Sequence, residues 1–217
     1  RVYTFRLRAG AKWSDGAPVT ADDVIAGMRR AVDPRTAAQL VDLAFTVKNA
    51  RAIAEGRMPV EALGVAAPDP QTIRIELEAP SAVFIRRIAG FPLFAPLPLH
   101  VYRTAGDDWV KAGTMVTNGP YVLANWTPQE SVRLVKNPYF WDAANVAIDE
   151  VIFYPTVDEN AALKQFRNGE LDLNLGFPPG QWEWLKTEMP GKAMLSPAST
   201  VTFLALNQNE ARFADAR

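Results

Sequence analysis

A single histidine, His100, and no cysteine leave this 217-residue chain few ways to do covalent or metal chemistry. One imidazole cannot supply the several nitrogen ligands of a catalytic zinc centre. Without thiols there is neither a disulfide framework nor a sulfur nucleophile, and direct nickel coordination is disfavoured for the same reason. His100 sits in an apolar, proline-rich stretch, where a structural role is expected. No Gly-x-Ser-x-Gly elbow, phosphate-cradling glycine loop or dinucleotide fingerprint occurs. Paired carboxylates of the kind that hydrolyse glycosides stay open on residue types alone, but the Asp and Glu residues fall at turns, caps and strand exteriors. Trp182 and Trp184 could stack on a sugar ring, yet two positions apart on a helix they cannot share one face. The residues point to binding rather than catalysis, with no cofactor.

The composition agrees with a soluble globular protein: 48% hydrophobic and 22% charged residues. With 23 basic and 24 acidic side chains the net charge is -1, which gives no basic face for nucleic acid and no polybasic run for an anionic membrane surface. The apolar stretches are too short to span a bilayer. Seventeen prolines favour loops and edges over long helices. The chain opens at Arg1 inside an apparent strand and stops at Arg217, so both ends are expected to be cuts in a longer protein.

The elements that would position a site follow from periodicity. Tyr3, Phe5 and Leu7 alternate with Thr4, Arg6 and Arg8, which predicts a half-buried strand. Asp15-Gly16 is a turn pair. Thr20 with Asp23 three residues on is a helix start of the capping-box kind, and Val24, Met28 and Ala31 continue at helical spacing. Asp33-Pro34 ends that helix. A second helix is expected over 37–54, closed by Gly56. Further strands are expected from Val65 to Asp69 and over 72–77, and a short helix over 81–88. Residues 91–99 read as a buried crossover between two lobes. Beyond it come short helices near 99–104 and Trp109, a hairpin of 121–126 with 131–136, an aromatic corner at Asn137-Pro138-Tyr139-Phe140-Trp141, a strand over 151–154 and a helix over 159–166. Residues 171–175 alternate strictly, 181–187 are helical, and 200–206 are extended. Trp13, Trp126 and Trp141 read as structural aromatics. The interleaving of strands, helices and a hairpin predicts a mixed α/β (α+β) fold.

Several segments in order resemble the peptide- and nickel-binding class of solute-binding proteins of bacterial ABC importers. They are Tyr3-Thr4-Phe5-Arg6-Leu7-Arg8, Lys12-Trp13-Ser14-Asp15-Gly16, Pro18-Val19-Thr20-Ala21-Asp22-Asp23-Val24 and Arg30-Ala31-Val32-Asp33-Pro34, followed by Thr117-Asn118-Gly119-Pro120-Tyr121, Asn137-Pro138-Tyr139-Phe140-Trp141 and Gly169-Glu170-Leu171-Asp172. Asn49-Ala50, Ile53, Gly56, Pro59, Leu63-Gly64-Val65, Asp69 and Thr72 are similar to the oligopeptide-binding branch in particular.

The resemblance implies a periplasmic-binding-protein-like, type II, two-lobed architecture, incomplete in this chain. Residues 1–98 would be most of the family's small extra domain, and 99–217 the middle part of one main lobe, the other lobe being absent. It implies capture of an extended oligopeptide by main-chain hydrogen bonds in a hydrated cleft, lobe closure, and delivery to ABC permease subunits by a monomer in the periplasm or on the outer face of the cytoplasmic membrane. It also implies three ligand-contacting positions. Leu40 stands where the family often has an aromatic pocket wall. Ala198 and Phe203 stand on the extended stretch along the ligand, at positions that are often Tyr. Together they suggest a less polar pocket than relatives have. Leu40 and Phe203 can equally be packing residues. Other solutes (a dipeptide, a sugar, an opine, a metal chelate) or a ligand-responsive sensor are the alternatives, since fold alone does not fix the role.

Overall fold

Helix α1 (Ala21–Val32) forms where the sequence places it. The side chain of its N-cap, Thr20, accepts from the Asp23 amide at 3.4 Å, and the Asp23 carboxylate accepts from the Thr20 amide at 2.9 Å, closing the capping box. Asp22 and Asp23 in the first turn and Arg29 and Arg30 in the last complement the helix dipole. Ala21, Ile25, Met28 and Val32 are buried, a stripe at helical spacing that faces the core.

The computed structural model describes residues 1–198, 200–204, 206, 207, 210 and 212. It divides into two compact units, Arg1–Pro155 and Thr156–Arg217. The boundary near residue 98 expected from the resemblance concerns the family's domains, a different kind of division, and is taken up as a proposal below.

In the first unit, strands β1 (Val2–Arg6), β2 (Val65–Asp69) and β3 (Thr72–Glu76) make an antiparallel sheet in the order β1-β3-β2. Tyr3 pairs with Ile75 and Phe5 with Ile73, so the alternating apolar residues of both strands share one face. Helix α1 packs on that sheet, and Ile25, Met28, Ile53, Ile75, Leu77 and Phe84 are central to the core between them. Every residue of this core, and every half-buried residue packed on it, falls between Tyr3 and Phe94.

The single helix expected over 37–54 is absent. A 3-10 segment, Val41–Thr46, and the short helix α2 (Ala50–Ala54) take its place. The reason is non-local. Val47 forms a bridge with Leu77, the Lys48 amide donates to the Glu76 carbonyl at 2.9 Å, and the Gly64 amide donates to the Lys48 carbonyl at 2.9 Å. The backbone at 47–48 therefore extends the sheet edge instead of continuing a helix. Helix α3 (Phe84–Gly90) starts later than expected. In the crossover, Phe94, Leu97 and Pro98 are buried, whereas Phe91 is exposed. Helix α4 (Leu99–Ala105) and a 3-10 segment at Gly106–Val110 follow.

Strands β4 (Tyr121–Thr127), β5 (Ser131–Lys136) and β6 (Glu150–Phe153) form a second antiparallel sheet in sequence order. The aromatic corner after β5 is held by Asn137, which is fully buried. Its side-chain amide donates to the Gly119 carbonyl at 2.8 Å, and its side-chain oxygen accepts from the Tyr139 amide at 2.9 Å. Trp13 is buried, as a structural aromatic should be. Trp126 and Trp141 are not: they are 56% and 55% exposed, and Trp141 carries the Arg8 guanidinium 3.8 Å from its ring centre.

The second unit holds helices α5 (Glu159–Arg167) and α6 (Trp182–Glu188). Residues 171–175 do not form the expected strand, and no strand occurs among the described residues of this unit. Alternation marks which face of an extended segment is apolar, but a strand also needs a hydrogen-bonded neighbour, and none is present.

Gly27 offers a test of the packing of α1. A Cβ there would lie 2.0 Å from the Ala95 carbonyl oxygen. Gly27→Ala gains about 1 kcal/mol in helix propensity, yet overpacking costs about 1–3 kcal/mol. We expect a net loss of stability in urea unfolding. A gain would mean that the crossover does not lie against α1.

Candidate ligand-binding site

Within the first unit, the loop after α1 carries the first expected contact. Asp33 caps a 3-10 turn, Pro34–Thr36, by accepting from the Arg35 amide at 3.0 Å. The Arg35 guanidinium also donates to both Asp33 oxygens, at 3.0, 3.1 and 2.6 Å. The Ala37 amide then donates to the Pro34 carbonyl at 3.2 Å, and Ala37 adopts a left-handed conformation, φ 47°. Leu40 is left-handed as well, φ 59°, and its carbonyl accepts from the Leu43 amide at 3.0 Å to start the next 3-10 segment. The Leu40 side chain is 62% exposed and is no member of the core. The packing reading of Leu40 therefore falls, and an apolar side chain is left facing water.

Ala198 and Phe203 lie in the second unit. Both are exposed, Phe203 by 77%, and neither is in a regular element. Leu173, Leu175, Met194, Leu195, Val201 and Leu204 are also exposed. The stretch 197–207 includes Ser199 and Ala205, which lie outside the described residues.

Two features of this unit are not apparent from the sequence. A pocket of about 130 Å³ opens among Leu163, Phe166, Leu173, Phe177, Leu185 and Met189, with Asp172 and Lys192 also in its lining. The apolar faces of the two helices were the only signal for it. Trp182 stacks on Phe177 with 6.0 Å between ring centres, while Trp184 meets the Arg167 guanidinium at 4.5 Å. The two indoles thus have separate partners, as their spacing requires.

Back in the first unit, His100 is exposed rather than embedded in the crossover. Its Nε2 lies 2.7 Å from Asp15 Oδ2 on the turn after Trp13. Partial burial alone would raise the Asp15 carboxyl, but hydrogen bonds from His100 and the Ala17 amide, with the charge of His100, bring it below its ordinary value. Asp23, expected to act through the helix dipole, does more: it is a buried carboxylate with donors from three segments. No group of three or more His, Cys, Asp or Glu able to hold a metal ion occurs among the described residues.

The family model described as bacterial extracellular solute-binding proteins, family 5 Middle, matches residues 1–217. The chain belongs to this family. It is 34% identical over 219 residues to the periplasmic murein peptide-binding protein MppA of Escherichia coli, covering 100% of this chain and 40% of that protein. It is 35% identical over 217 residues to the probable deoxycholate-binding periplasmic protein YgiS of Escherichia coli, covering 99% of this chain and 40% of that protein. The structure of Haemophilus influenzae OppA in complex with RPPGFSPFR superposes with a TM-score of 0.84 at 35% identity, covering 88% of this chain and 38% of that one. The chain thus spans about two fifths of the length of the relatives it matches. Over that part its mixed α/β fold is the type II periplasmic-binding architecture. The family consists of solute-binding proteins rather than enzymes.

The Asp33–Arg35 pair makes a pH prediction. Hydrogen bonds from Arg35 hold the Asp33 carboxyl below its ordinary value, against a smaller opposing effect of burial. A depressed folded-state value stabilises the loop above the unfolded carboxylate pKa of ~3.9. That contribution is lost as pH falls through the folded value. In Arg35→Gln the Asp33 titration should move upward toward the ordinary value, read by carboxyl-detected NMR. An unchanged midpoint would mean that the pair does not persist in solution.

Proposed function

We propose that this chain is part of an extracytoplasmic binding protein that captures extended oligopeptides and delivers them to an ABC permease. The observation that carries this reading is the match of the entire chain to a murein peptide-binding protein. The superposition on an oligopeptide-binding protein in complex with RPPGFSPFR supports it. Peptide main-chain groups are common to all sequences, so hydrogen bonds to them give affinity without choice, while hydrated pockets tolerate varied side chains. Relatives named as periplasmic support a location in the periplasm or on the outer face of the cytoplasmic membrane. The protein acts as a monomer, without turnover.

In this reading residues 1–98 form most of the small extra domain, and 99–217 the middle of one main lobe. A core that closes between Tyr3 and Phe94 supports the first assignment. Leu40, Ala198 and Phe203 contact the ligand. Exposure of all three supports that role over packing, and their apolar character favours ligands with aliphatic or aromatic side chains.

A second reading has a specific observation behind it. YgiS is as similar to this chain as MppA is, and apolar residues at positions 40, 198 and 203 also suit a rigid apolar molecule of the deoxycholate kind. Mass spectrometry of the small molecules released on denaturing the natively purified natural protein separates the two. A mixture of short peptides enriched in apolar residues is the expected result. A single steroid-like acid would establish the second reading, and nothing above background would remove both.

A further inference from the structure

Four non-glycine residues adopt positive φ among the described residues: Ala37, Leu40, Asn49 and Gln129. Two have local reasons. Asn49 tolerates the left-handed region, and its side chain donates to the Ala62 carbonyl at 2.7 Å. Gln129 follows Pro128 at the tip of the β4–β5 hairpin, where the Glu130 amide closes the turn on the Thr127 carbonyl at 3.1 Å. Leu40 has no such reason. A bulky side chain with positive φ crowds its own carbonyl, and here burial gives nothing back, because the side chain is 62% exposed.

The approach to Leu40 is fixed from behind. The Asp33 amide donates to the Arg29 and Arg30 carbonyls at the end of α1, at 3.0 and 3.3 Å. Its carboxylate grips Arg35, and the Thr36 amide donates to the Asp33 carbonyl at 2.9 Å. The three residues Ala37 to Gln39 then lead to Leu40, whose carbonyl is engaged by Leu43. Strain of this kind persists where the surroundings over-determine the backbone, and it concentrates at ligand sites.

We infer that residues 37–40 are a strained presenting loop: two left-handed non-glycine residues, clamped by the Asp33–Arg35 pair, hold the Leu40 side chain out in solvent for a ligand, at the expense of the stability of the free protein. The inference rests on the oligopeptide reading and deepens it. It makes Leu40 a specificity residue and Asp33 a positioning residue, which acts through the loop and touches no ligand.

The test uses the natural protein that carries this chain, with Leu40→Asn, Leu40→Gly, Leu40→Ala and Asp33→Ala variants. Urea unfolding reads the strain. Mass spectrometry of peptides retained from a casein digest reads binding. Asn and Gly accept the left-handed region and Ala does not, so Leu40→Asn should have an unfolding constant roughly fivefold smaller than Leu40→Ala, with Leu40→Gly shifted the same way. Asp33→Ala keeps Leu40 yet should retain markedly less of the apolar peptides, a loss that a purely structural clamp would not produce while circular dichroism is unchanged. Equal stability of the Asn, Gly and Ala variants overturns the inference, because Leu40 would not be strained. Relief of strain with unchanged peptide retention in every variant also overturns it, and leaves the oligopeptide reading standing. A wild-type protein that retains no peptide removes the oligopeptide reading and the inference with it.

Discussion

A carboxylate withdrawn from water has to be met by donors from several directions, and the first unit is arranged around one such group. Asp23 accepts from the Trp13 indole at 3.3 Å, from the Thr20 amide and hydroxyl at 2.9 and 3.0 Å, and from the Leu99 amide at 3.2 Å. These donors belong to the turn after β1, the start of α1 and the start of α4. The Asp23 carbonyl also receives the Leu97 amide at 2.9 Å. One side chain therefore sets where α1 begins and where the crossover ends. A buried charge left short of donors is severely penalised, so segments more than seventy residues apart in sequence are bound to one geometry.

That constraint has a visible sequel. The turn carried by Trp13 reaches toward the second sheet: the Ser14 amide donates to the Thr117 carbonyl at 2.8 Å, and the Thr117 amide returns a bond to the Ser14 hydroxyl at 3.1 Å. Tyr139, on the corner that Asn137 holds, lies against Gly16, where a Cβ would come within 3.4 Å of its ring. The residues whose order reveals the family, Trp13 to Gly16, Thr20 to Asp23, Thr117 to Pro120 and Asn137 to Trp141, are largely the ones in this assembly. They identify the fold because they build it. The positions proposed to meet ligand lie outside it, where the backbone scaffold leaves side chains free to differ.

Local signals were readable from sequence and long-range ones were not. The capping box at Thr20 and Asp23, the hairpin, and the ends of α4, α5 and α6 each depend on a few adjacent residues, and the structure has them within a residue or two. The helix expected over 37–54 failed because Val47 and Lys48 bond to residues nearly thirty positions away. Residues 171–175 alternate as a strand does, but alternation names a face without supplying a neighbour. His100 was misplaced because its apolar sequence neighbours are not its spatial ones. At Leu40 the residue type suggested burial, while the backbone conformation that exposes it has no signature in a leucine.

The environment of Trp13 has an optical consequence. The chain has six tryptophans, and Trp13 alone among them is buried, with its indole N–H bonded to a carboxylate. Indoles in contact with water emit toward the red, and one shielded from it emits toward the blue. The short-wavelength edge of the protein's fluorescence therefore belongs to the Asp23 assembly. The remaining five indoles, two of them largely in water, supply the rest of the band. The molecule carries its own spectroscopic gauge of whether the turn, the helix start and the crossover are still joined.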